Sequence, residues 1–298
     1  MLLVDKPDGL SSAHVVATVK RVLRAERAGH AGTLDPLATG VLPICLGAGT
    51  KLSTYLLAED KAYEATGLLG SETDTLDRAG RTTREAAWSH VTRETLAVAC
   101  AAHVGETTQV PPMYSAIKHE GIELYKRARR GEEVERAPRT IHIERLELVA
   151  FEPPHFRILI ECGKGTYVRT LVEDLGRDVG SAAHVTALRR TRCGRFAIAD
   201  AVPLHVICTP GYDVEPALIA LTEVCDLPRV AVPPDLLKAV VHAVQLPVEL
   251  MLVPLPERFQ LIDAAGRLVA IAHAEAGRLI FDRVFPELLP DVRPDLVS

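Results

Sequence analysis

The sequence lacks the features of a metalloprotein, a disulfide-rich secreted protein or a membrane protein. Its six cysteines are scattered without a C-x-x-C pair, which argues against a zinc site or a disulfide framework and favours reduced thiols. No apolar run approaches the roughly 20 residues of a membrane helix. The N-terminus has neither the basic start nor the long apolar stretch of a signal peptide. These absences predict a cytoplasmic protein that does not associate with membranes.

Motifs for the common cofactors are also missing. There is no complete dinucleotide fingerprint, no paired-histidine metal motif and no G-x-S-x-G sequence. Two glycine-containing stretches, 47–51 and 163–169, lack the spacing of a P-loop, although the second could cap a helix or bind phosphate. The sequence therefore predicts an activity that needs no cofactor and no metal. The missing motifs argue against a dehydrogenase or a kinase.

Charge is unevenly distributed along the chain, whose formal net charge is −5. Residues 207–298 contain 7 Lys and Arg against 13 Asp and Glu, so the rest of the chain is nearly neutral. In residues 1–206 the cations are bunched, and local basic patches rather than net charge attract phosphates. Solvated helix faces explain one such group but not three, which favours a nucleic-acid partner. The groups are Lys20, Arg21, Arg24 and Arg27; Lys118, Lys126, Arg127, Arg129 and Arg130; and Arg189, Arg190, Arg192 and Arg195.

The pattern of apolar residues predicts an α+β chain in two parts. A charged excursion with helical character is expected at 118–137. After about residue 208 prolines recur, and short strands separated by glycine turns indicate a small β-rich domain. The expected strands are 2–4, 61–70, 139–150, 155–163, 258–263, 267–273 and 278–284; the expected helices are 13–25 (capped by Ser11 and Ser12), 50–57, 92–104 and 166–179; and 28–43 is expected to be a shaped loop.

Asp35 is the strongest candidate for a catalytic residue. Pro36 bars it from helical geometry, and Gly32 and Gly40 on either side permit tight turns and close approach of a substrate. An Asx-turn or cap would explain an isolated Asp-Pro pair. Here His30 and Arg27 place a titratable ring and a cation just upstream, which favours a positioned carboxylate.

Six motifs in order resemble those of the TruB family of bacterial tRNA pseudouridine synthases. The most specific are the run 27–40, RAGHAGTLDPLATG, around Asp35, and the run 163–171, GKGTYVRTL. The resemblance covers about residues 2–196. The remaining motifs are 5–12 (DKPDGLSS), 61–63 with 70–77 (KAY and GSETDTLD), 112–118 (PPMYSAIK) and 183–190 (AHVTALRR).

This resemblance implies a fold and a two-domain organisation. The fold is a catalytic domain with a central mixed or antiparallel sheet flanked by helices, over residues 1–208, followed by a small PUA-like β-rich domain over 209–298. The excursion at 118–137 corresponds to the family's RNA-clasping insertion. Because residues 209–298 are acidic, we expect their contact with RNA to be weak.

The resemblance also implies an activity and the residues that perform it. The activity is isomerisation of uridine 55 in the tRNA T-loop to pseudouridine after base flipping. Asp35 matches the essential aspartate, which attacks the uracil ring, attacks the ribose or acts as a general base. Arg169 matches the arginine that pairs with it, and Tyr63 the tyrosine that stacks on the target uracil. Tyr167 and Leu188 match residues lining the uracil pocket, and His30 a histidine that packs into the T-loop.

Two alternatives remain beside this reading. A guide-RNA-dependent synthase shares the aspartate motif, but that branch usually carries N-terminal additions, whereas the first strand is expected here at Leu2. An RNA-binding or tRNA-folding module would need no catalysis, yet all the candidate catalytic residues are present. We therefore expect a stand-alone monomer that binds the tRNA T-arm without guide RNA or protein partner.

Overall fold

The computed structural model describes residues 1–115, 117–128 and 130–289. The expectations for Ala116, for Arg129 in the basic group of the insertion, and for the end of the second domain at 290–298 lie outside the described residues. Within those residues the helices are Ser12–Val22 (α1), Ser53–Ala58 (α2), Arg93–Ala102 (α3), Leu124–Ala128 (α4), Val168–Asp178 (α5), Leu204–Ile207 (α6) and Leu237–Val241 (α7).

Strands make up most of the remaining regular structure. In chain order they are Leu2–Lys6 (β1), Ala28–His30 (β2), Thr39–Leu46 (β3), Lys61–Leu69 (β4), Ser71–Thr73 (β5), Thr82–Glu85 (β6), Gly105–Gln109 (β7), Lys118–His119 (β8), Ile122–Glu123 (β9), Arg139–Glu152 (β10), His155–Cys162 (β11), Ala183–Cys193 (β12), Phe196–Ala197 (β13), Val202–Pro203 (β14), Arg229–Ala231 (β15), Arg258–Ile262 (β16), Leu268–Glu275 (β17) and Arg278–Val284 (β18).

A ten-stranded mixed sheet forms the centre of the molecule. Its main path is β14-β1-β3-β12-β4-β11-β10-β7, with β2 paired to β3 and β13 paired to β12. The pairs β1–β14 and β3–β12 are parallel, and the other pairs are antiparallel. Apolar side chains of α1, α3 and α5 join those of the sheet in one buried cluster. The predicted α+β fold with a mixed sheet flanked by helices is confirmed.

The interpretation of residues 28–43 as a loop is wrong at both ends. The chain is extended from Ala28 to His30 and again from Thr39, where β3 begins. Gly40 and Pro43 resemble turn residues in the sequence, but both lie inside β3. Gly40 has a φ of +102°, and a Cβ there would lie 2.1 Å from the Arg190 carbonyl oxygen of β12. Glycine at position 40 therefore allows β3 and β12 to approach each other closely.

The first helix follows its sequence signals closely. The Ser11 hydroxyl accepts a hydrogen bond from the His14 backbone N–H (3.2 Å), as an N-cap residue does. The helix ends at Val22, three residues earlier than expected. The expected helix at 50–57 is a 3-10 turn over Gly47–Leu52 followed by α2. Positions near helix ends are the least determined by periodicity.

A second sheet, in the order β15-β16-β17-β18, forms the C-terminal part. It packs against the first sheet through a shared apolar cluster that includes Leu3, Cys45, Ile271 and Phe285. At the same boundary the Lys51 ammonium donates to the Val284 carbonyl (2.8 Å) and forms an ion pair with Glu287 at 2.9 Å. The two parts therefore share a buried contact as well as an ion pair.

The segment between the two sheets lies against the start of the chain. The Met1 ammonium donates to the Ile219 carbonyl (2.8 Å), and the Ile219 N–H donates to the Met1 carbonyl (2.8 Å). Val224 and Cys225 belong to the cluster that the two parts share. Residues 218–225 therefore pack on the first sheet, although they follow residue 208.

Candidate active site

A cavity of about 270 Å³ lies where the Asp35 loop, β4, β12 and the start of α5 meet. Five of the six residues singled out from the sequence line it, although they are far apart in the chain. His30 is not among its lining residues. The five are Asp35, Tyr63, Tyr167, Arg169 and Leu188.

The Asp35 loop is tied to α1 by a side chain at the start of that helix. The Ser12 hydroxyl donates to the Leu34 carbonyl (2.9 Å) and accepts from the Leu34 N–H (2.8 Å). Ser12 is almost fully buried, so neither hydrogen bond competes with solvent. The residue before Asp35 is thus fixed by a rigid element.

A buried lysine fixes the other side of the loop. Lys6 is inaccessible to solvent, and its ammonium donates to the carbonyls of Pro7 (2.9 Å), Pro36 (3.1 Å) and Ala38 (2.6 Å). Burial lowers the pKa of Lys6 to about 8, while the negative charge of Asp35 acts in the opposite direction. The loop therefore holds a cation beneath the carboxylate.

Arg169 binds the Asp35 carboxylate through two nitrogens. Its Nε lies 2.8 Å from Asp35 Oδ2, and an Nη donates to Oδ1 at 3.4 Å. The same guanidinium donates to the carbonyls of Thr75 (2.5 Å) and Tyr114 (2.6 Å), and it lies 3.8 Å from Asp77 Oδ2. Arg169 is 4% exposed, whereas the Asp35 side chain is 33% exposed toward the cavity. The carboxylate is held in place yet accessible to a ligand.

Competing effects act on the ionisation of Asp35. Burial raises the pKa of the Asp35 carboxyl, and the nearby Asp77 raises it further. Arg169 and Lys6 lower this pKa, because both favour the ionised form. The charge on Asp35 therefore depends on its two cationic neighbours, and above all on Arg169.

Tyr63 forms an aromatic wall of the cavity from the middle of β4. Its register partners are Ile160 on β11 and Arg190 on β12. Burial raises the pKa of the Tyr63 hydroxyl to about 12. The phenol is therefore protonated at neutral pH and can donate a proton or a hydrogen bond to a ligand.

His30 lies on β2, opposite Ile44 of β3. Burial lowers the pKa of its ring, and the positive charge of Arg190 acts in the same direction. The ring Nδ1 is buried and makes no hydrogen bond within the part of the chain that is described. A neutral, half-buried ring outside the cavity suits a packing contact rather than proton transfer.

The four arginines at 189–195 all have partners within the protein itself. Arg189 binds Asp5 through two nitrogens (2.8 and 3.2 Å), and Arg192 pairs with Glu161 (2.7 Å). Arg190 is 1% exposed and donates to backbone carbonyls of Val41 and Gly32. The buried Arg190 therefore acts within the fold, whereas phosphate binding by the partly exposed Arg189 and Arg192 stays a prediction.

Four residues that the structure places in or next to the site were not predicted as site residues. Lys6 and Asp77 lie inside the recognised motifs, but only the buried contacts described above show what they do. Arg190 was counted as a surface cation. Gln109 precedes a motif and had no signal at all, because a glutamine near the end of a strand is most often solvated.

Groups of three or more potential metal ligands are absent from the described residues. The same part of the chain contains no helix that is long and apolar enough to span a membrane.

Comparison with known proteins identifies the family. A sequence model described as TruB family pseudouridylate synthase (N terminal domain) matches residues 20–168, and one described as tRNA pseudouridylate synthase B C-terminal domain matches residues 169–214. The chain belongs to the TruB family of pseudouridylate synthases.

Curated relatives agree with this assignment. The chain is 53% identical over 207 residues to tRNA pseudouridine synthase B of Aromatoleum aromaticum, covering 70% of this chain and 67% of that relative. It is 51% identical over 207 residues to the protein of the same name from Pseudomonas aeruginosa, covering 70% of this chain and 68% of that relative.

Solved structures show the same fold. A Cbf5-Nop10-Gar1 complex contains a chain that superposes with a TM-score of 0.71 at 25% identity, covering 96% of this chain and 85% of that one. A structure of an H/ACA RNP bound to a substrate RNA containing 2′-deoxyuridine contains a chain that superposes with a TM-score of 0.71 at 23% identity. The match covers 98% of this chain and 87% of that one.

Proposed function

We propose that this protein converts uridine 55 in the T-loop of tRNA to pseudouridine, without guide RNA. The observation that carries the proposal is the Asp35 carboxylate, bound by Arg169 and open to a cavity with an aromatic wall, in a chain of the TruB family. Asp35 is the catalytic residue, and His30, Tyr63, Tyr167, Arg169 and Leu188 bind the substrate.

The reaction exchanges one bond of the ribose for another and moves one proton. The bond between ribose C1′ and uracil N1 breaks, the base turns, and a bond forms between C1′ and C5. The hydrogen on C5 then leaves as a proton and N1 gains one, so no electron acceptor or cofactor is consumed. Attack on the base, attack on the sugar and general-base action all require an ionised carboxylate beside the nucleotide. Arg169, which binds the Asp35 carboxylate, and the nearby charge of Lys6 favour that ionised form against the effect of burial.

Access to the cavity requires base flipping. Chemistry on a base in a folded RNA takes place after extrusion of the nucleotide into a pocket. The cavity presents the ring of Tyr63 for stacking and the Leu188 side chain as an apolar surface, while Asp35 lies at its polar side. One uracil can therefore be held between an aromatic face and a charged group.

Release of tritium tests the activity directly. A tRNA transcript containing [5-³H]uridine loses tritium to water when C5 bonds to C1′. We expect purified protein to release the label from one uridine per tRNA with no other RNA or protein present. Release only after addition of a guide RNA would support the guide-dependent alternative. Binding of tRNA without release would support an RNA-binding module.

Replacement of Tyr63 by Phe tests its role as more than an aromatic wall. The ring and its stacking remain, worth roughly 1–3 kcal/mol per base, but the protonated hydroxyl is lost. We expect tRNA affinity within about threefold of the wild type and turnover lower by about 10²-fold, the size of a lost proton-transfer contribution. Single-turnover rates measure the turnover, and filter binding measures the tRNA affinity. An equal loss of affinity and turnover would place Tyr63 in binding alone.

The insertion at 118–137 is proposed to contact RNA phosphates. It contains the β8–β9 hairpin and α4, and three of its cations, Lys126, Arg127 and Arg130, are paired with glutamates at 2.7–3.9 Å. These pairs are at least partly exposed, so phosphates can compete for the cations at little cost.

Neutralising Lys126, Arg127 and Arg130 to glutamine should weaken tRNA binding and flatten its salt dependence. Each lost phosphate contact lowers the slope of log K against log salt by about 0.7–0.9, so we expect a decrease of about 1 or more. The matched control neutralises Arg258, Arg278 and Arg283 on the C-terminal sheet. If the slope is unchanged in the first variant, the insertion does not contact the RNA backbone.

The remaining features are proposals that the family and the contacts support. We propose a catalytic part over about residues 1–208 and a PUA-like C-terminal part whose RNA contact is weak because of its acidic balance. The packing of residues 218–225 on the first sheet means that a cut near residue 208 would expose apolar surface. We further propose that the protein acts as a monomer in the cytoplasm and needs no protein partner.

A further inference from the structure

A buried glutamine outside the recognised motifs binds the backbone of a cavity residue from both sides. Gln109 lies at the end of β7 and is 4% exposed. Its Nε2 donates to the Tyr167 carbonyl at 3.1 Å, and its Oε1 accepts from the Tyr167 N–H at 2.8 Å. The side-chain amide thus pairs with one residue as a neighbouring strand would.

The paired residue is the point from which α5 starts. Tyr167 is the N-cap of α5, and its own side chain makes no capping hydrogen bond. Its carbonyl also accepts the first helical hydrogen bond, from Leu171 N–H (3.1 Å). Helix N-caps usually depend on a short polar side chain at that position. Here an amide from another strand fixes the residue instead.

Two cavity residues depend on the position of this helix start. The ring of Tyr167 lines the cavity, and Arg169, two residues further on, binds Asp35. A shift of the first turn of α5 would therefore move the guanidinium relative to the carboxylate. A displacement on the order of 1 Å can reduce a rate about 10²-fold when it misaligns reacting groups.

We propose that Gln109 is a positioning residue for catalysis, which sets the geometry of the Arg169–Asp35 pair by fixing the backbone of Tyr167. This inference rests on the proposed function. Gln109 does not line the cavity, so its effect on the substrate passes through Tyr167 and Arg169. The opposing possibility is that the contacts of Arg169 with Thr75 and Tyr114 hold the guanidinium without any help from Gln109.

Gln109→Met tests the proposal, because it keeps the length of the side chain but loses both hydrogen bonds. Gln109→Asn, one methylene shorter and still polar, serves as the milder variant if the first does not fold. The matched control is Gln260→Met. Gln260 is also buried, and its Nε2 lies within hydrogen-bonding distance of three backbone carbonyls, but it lies on β16 in the C-terminal part. Thermal unfolding identifies which variants are folded at the assay temperature.

The measurement is the single-turnover rate on tRNA as a function of pH, together with tRNA affinity. We expect folded Gln109→Met to turn over at least about tenfold more slowly than wild type, with affinity within about threefold. The rate of Gln109→Asn should lie between those of Gln109→Met and the wild type. The rate of Gln260→Met should match that of the wild type. The charged groups around Asp35 are Arg169, Lys6 and Asp77, with the Tyr167 hydroxyl nearby. If Arg169 is displaced, the acid limb of the profile should also move to higher pH.

The outcomes separate the inference from the proposed function. Wild-type protein without activity would overturn the proposed function. Alternatively, the wild type is active while the folded Gln109 variants keep the wild-type rate and the wild-type acid limb of the pH–rate profile. That result would overturn the positioning role of Gln109 but not the proposed function. A loss of stability shared by Gln109→Met and Gln260→Met, with no difference in their rates, would assign Gln109 a purely structural role and also contradict the inference.

Discussion

Asp35→Asn should fold, bind tRNA and form no detectable pseudouridine. The replacement is nearly isosteric, so Ser12 and Lys6 still hold the backbone of the loop. It removes the negative charge that every chemical path requires, and loss of such a group costs at least about 10³-fold in rate. Tritium release under single-turnover conditions measures the rate, and filter binding measures the affinity.

The matched control for this change is Asp178→Asn. Asp178 lies at the end of α5, pairs with His103 at 2.7 Å and does not line the cavity. It should keep wild-type activity. Residual turnover of Asp35→Asn within tenfold of the wild type would contradict the proposed catalytic role of Asp35.

Arg169→Met should lower activity by at least about 10²-fold and raise the pH needed for what remains. The variant leaves the Asp35 carboxylate buried without its main cation, so the pKa of Asp35 rises further. Fewer molecules then carry the ionised carboxylate at neutral pH, and activity recovers only as the pH increases. The pH–rate profile of the variant against wild type measures the shift of the acid limb.

The same variant should also be less stable, and the deficit should depend on pH. Removing one partner of a fully buried ion pair costs about 3–5 kcal/mol; Asp35 is partly exposed, so we expect about 2–3 kcal/mol. A carboxyl whose pKa is raised on folding destabilises the native state above its unfolded pKa. The deficit in free energy of unfolding should therefore shrink as the pH falls and Asp35 takes up a proton.

Arg177→Met is the matched control for Arg169→Met. Arg177 lies on the same helix and pairs with Glu72 (2.9 Å) and Glu173 (2.8 Å), away from the cavity. It can lower stability but should leave the acid limb of the pH–rate profile unchanged. An unshifted acid limb in Arg169→Met would mean that Arg169 does not control the charge of Asp35.

The sequence was most informative where a residue has a motif around it. Asp35 stands out through Pro36 and its flanking glycines, and the resemblance places Tyr63, Tyr167, Arg169 and Leu188 in one pocket. The structure brings these five residues to one cavity. Helices α1 and α3 were also predicted; for α1 the apolar spacing and the capping serine agree.

Other features could not be predicted because they depend on contacts between distant segments. Gly40 and Pro43 read as loop residues, yet Gly40 serves the close approach of β3 to Arg190. Lys6 binds backbone carbonyls some 30 positions away, and Gln109 binds a backbone carbonyl 58 positions away. A local sequence pattern does not predict such contacts. The pairing of Arg189 with Asp5 and of Arg192 with Glu161 could not be predicted either, because these partners are remote in sequence.

The most direct test of the account is a map of pseudouridine in an unmodified tRNA transcript incubated with purified protein alone. Carbodiimide treatment followed by primer extension locates each modified position. We expect a single new stop, assigned to uridine 55 in the T-loop, which is absent when Asp35→Asn replaces the wild type. A map without that stop, or the same stop with the Asp35→Asn protein, would contradict it.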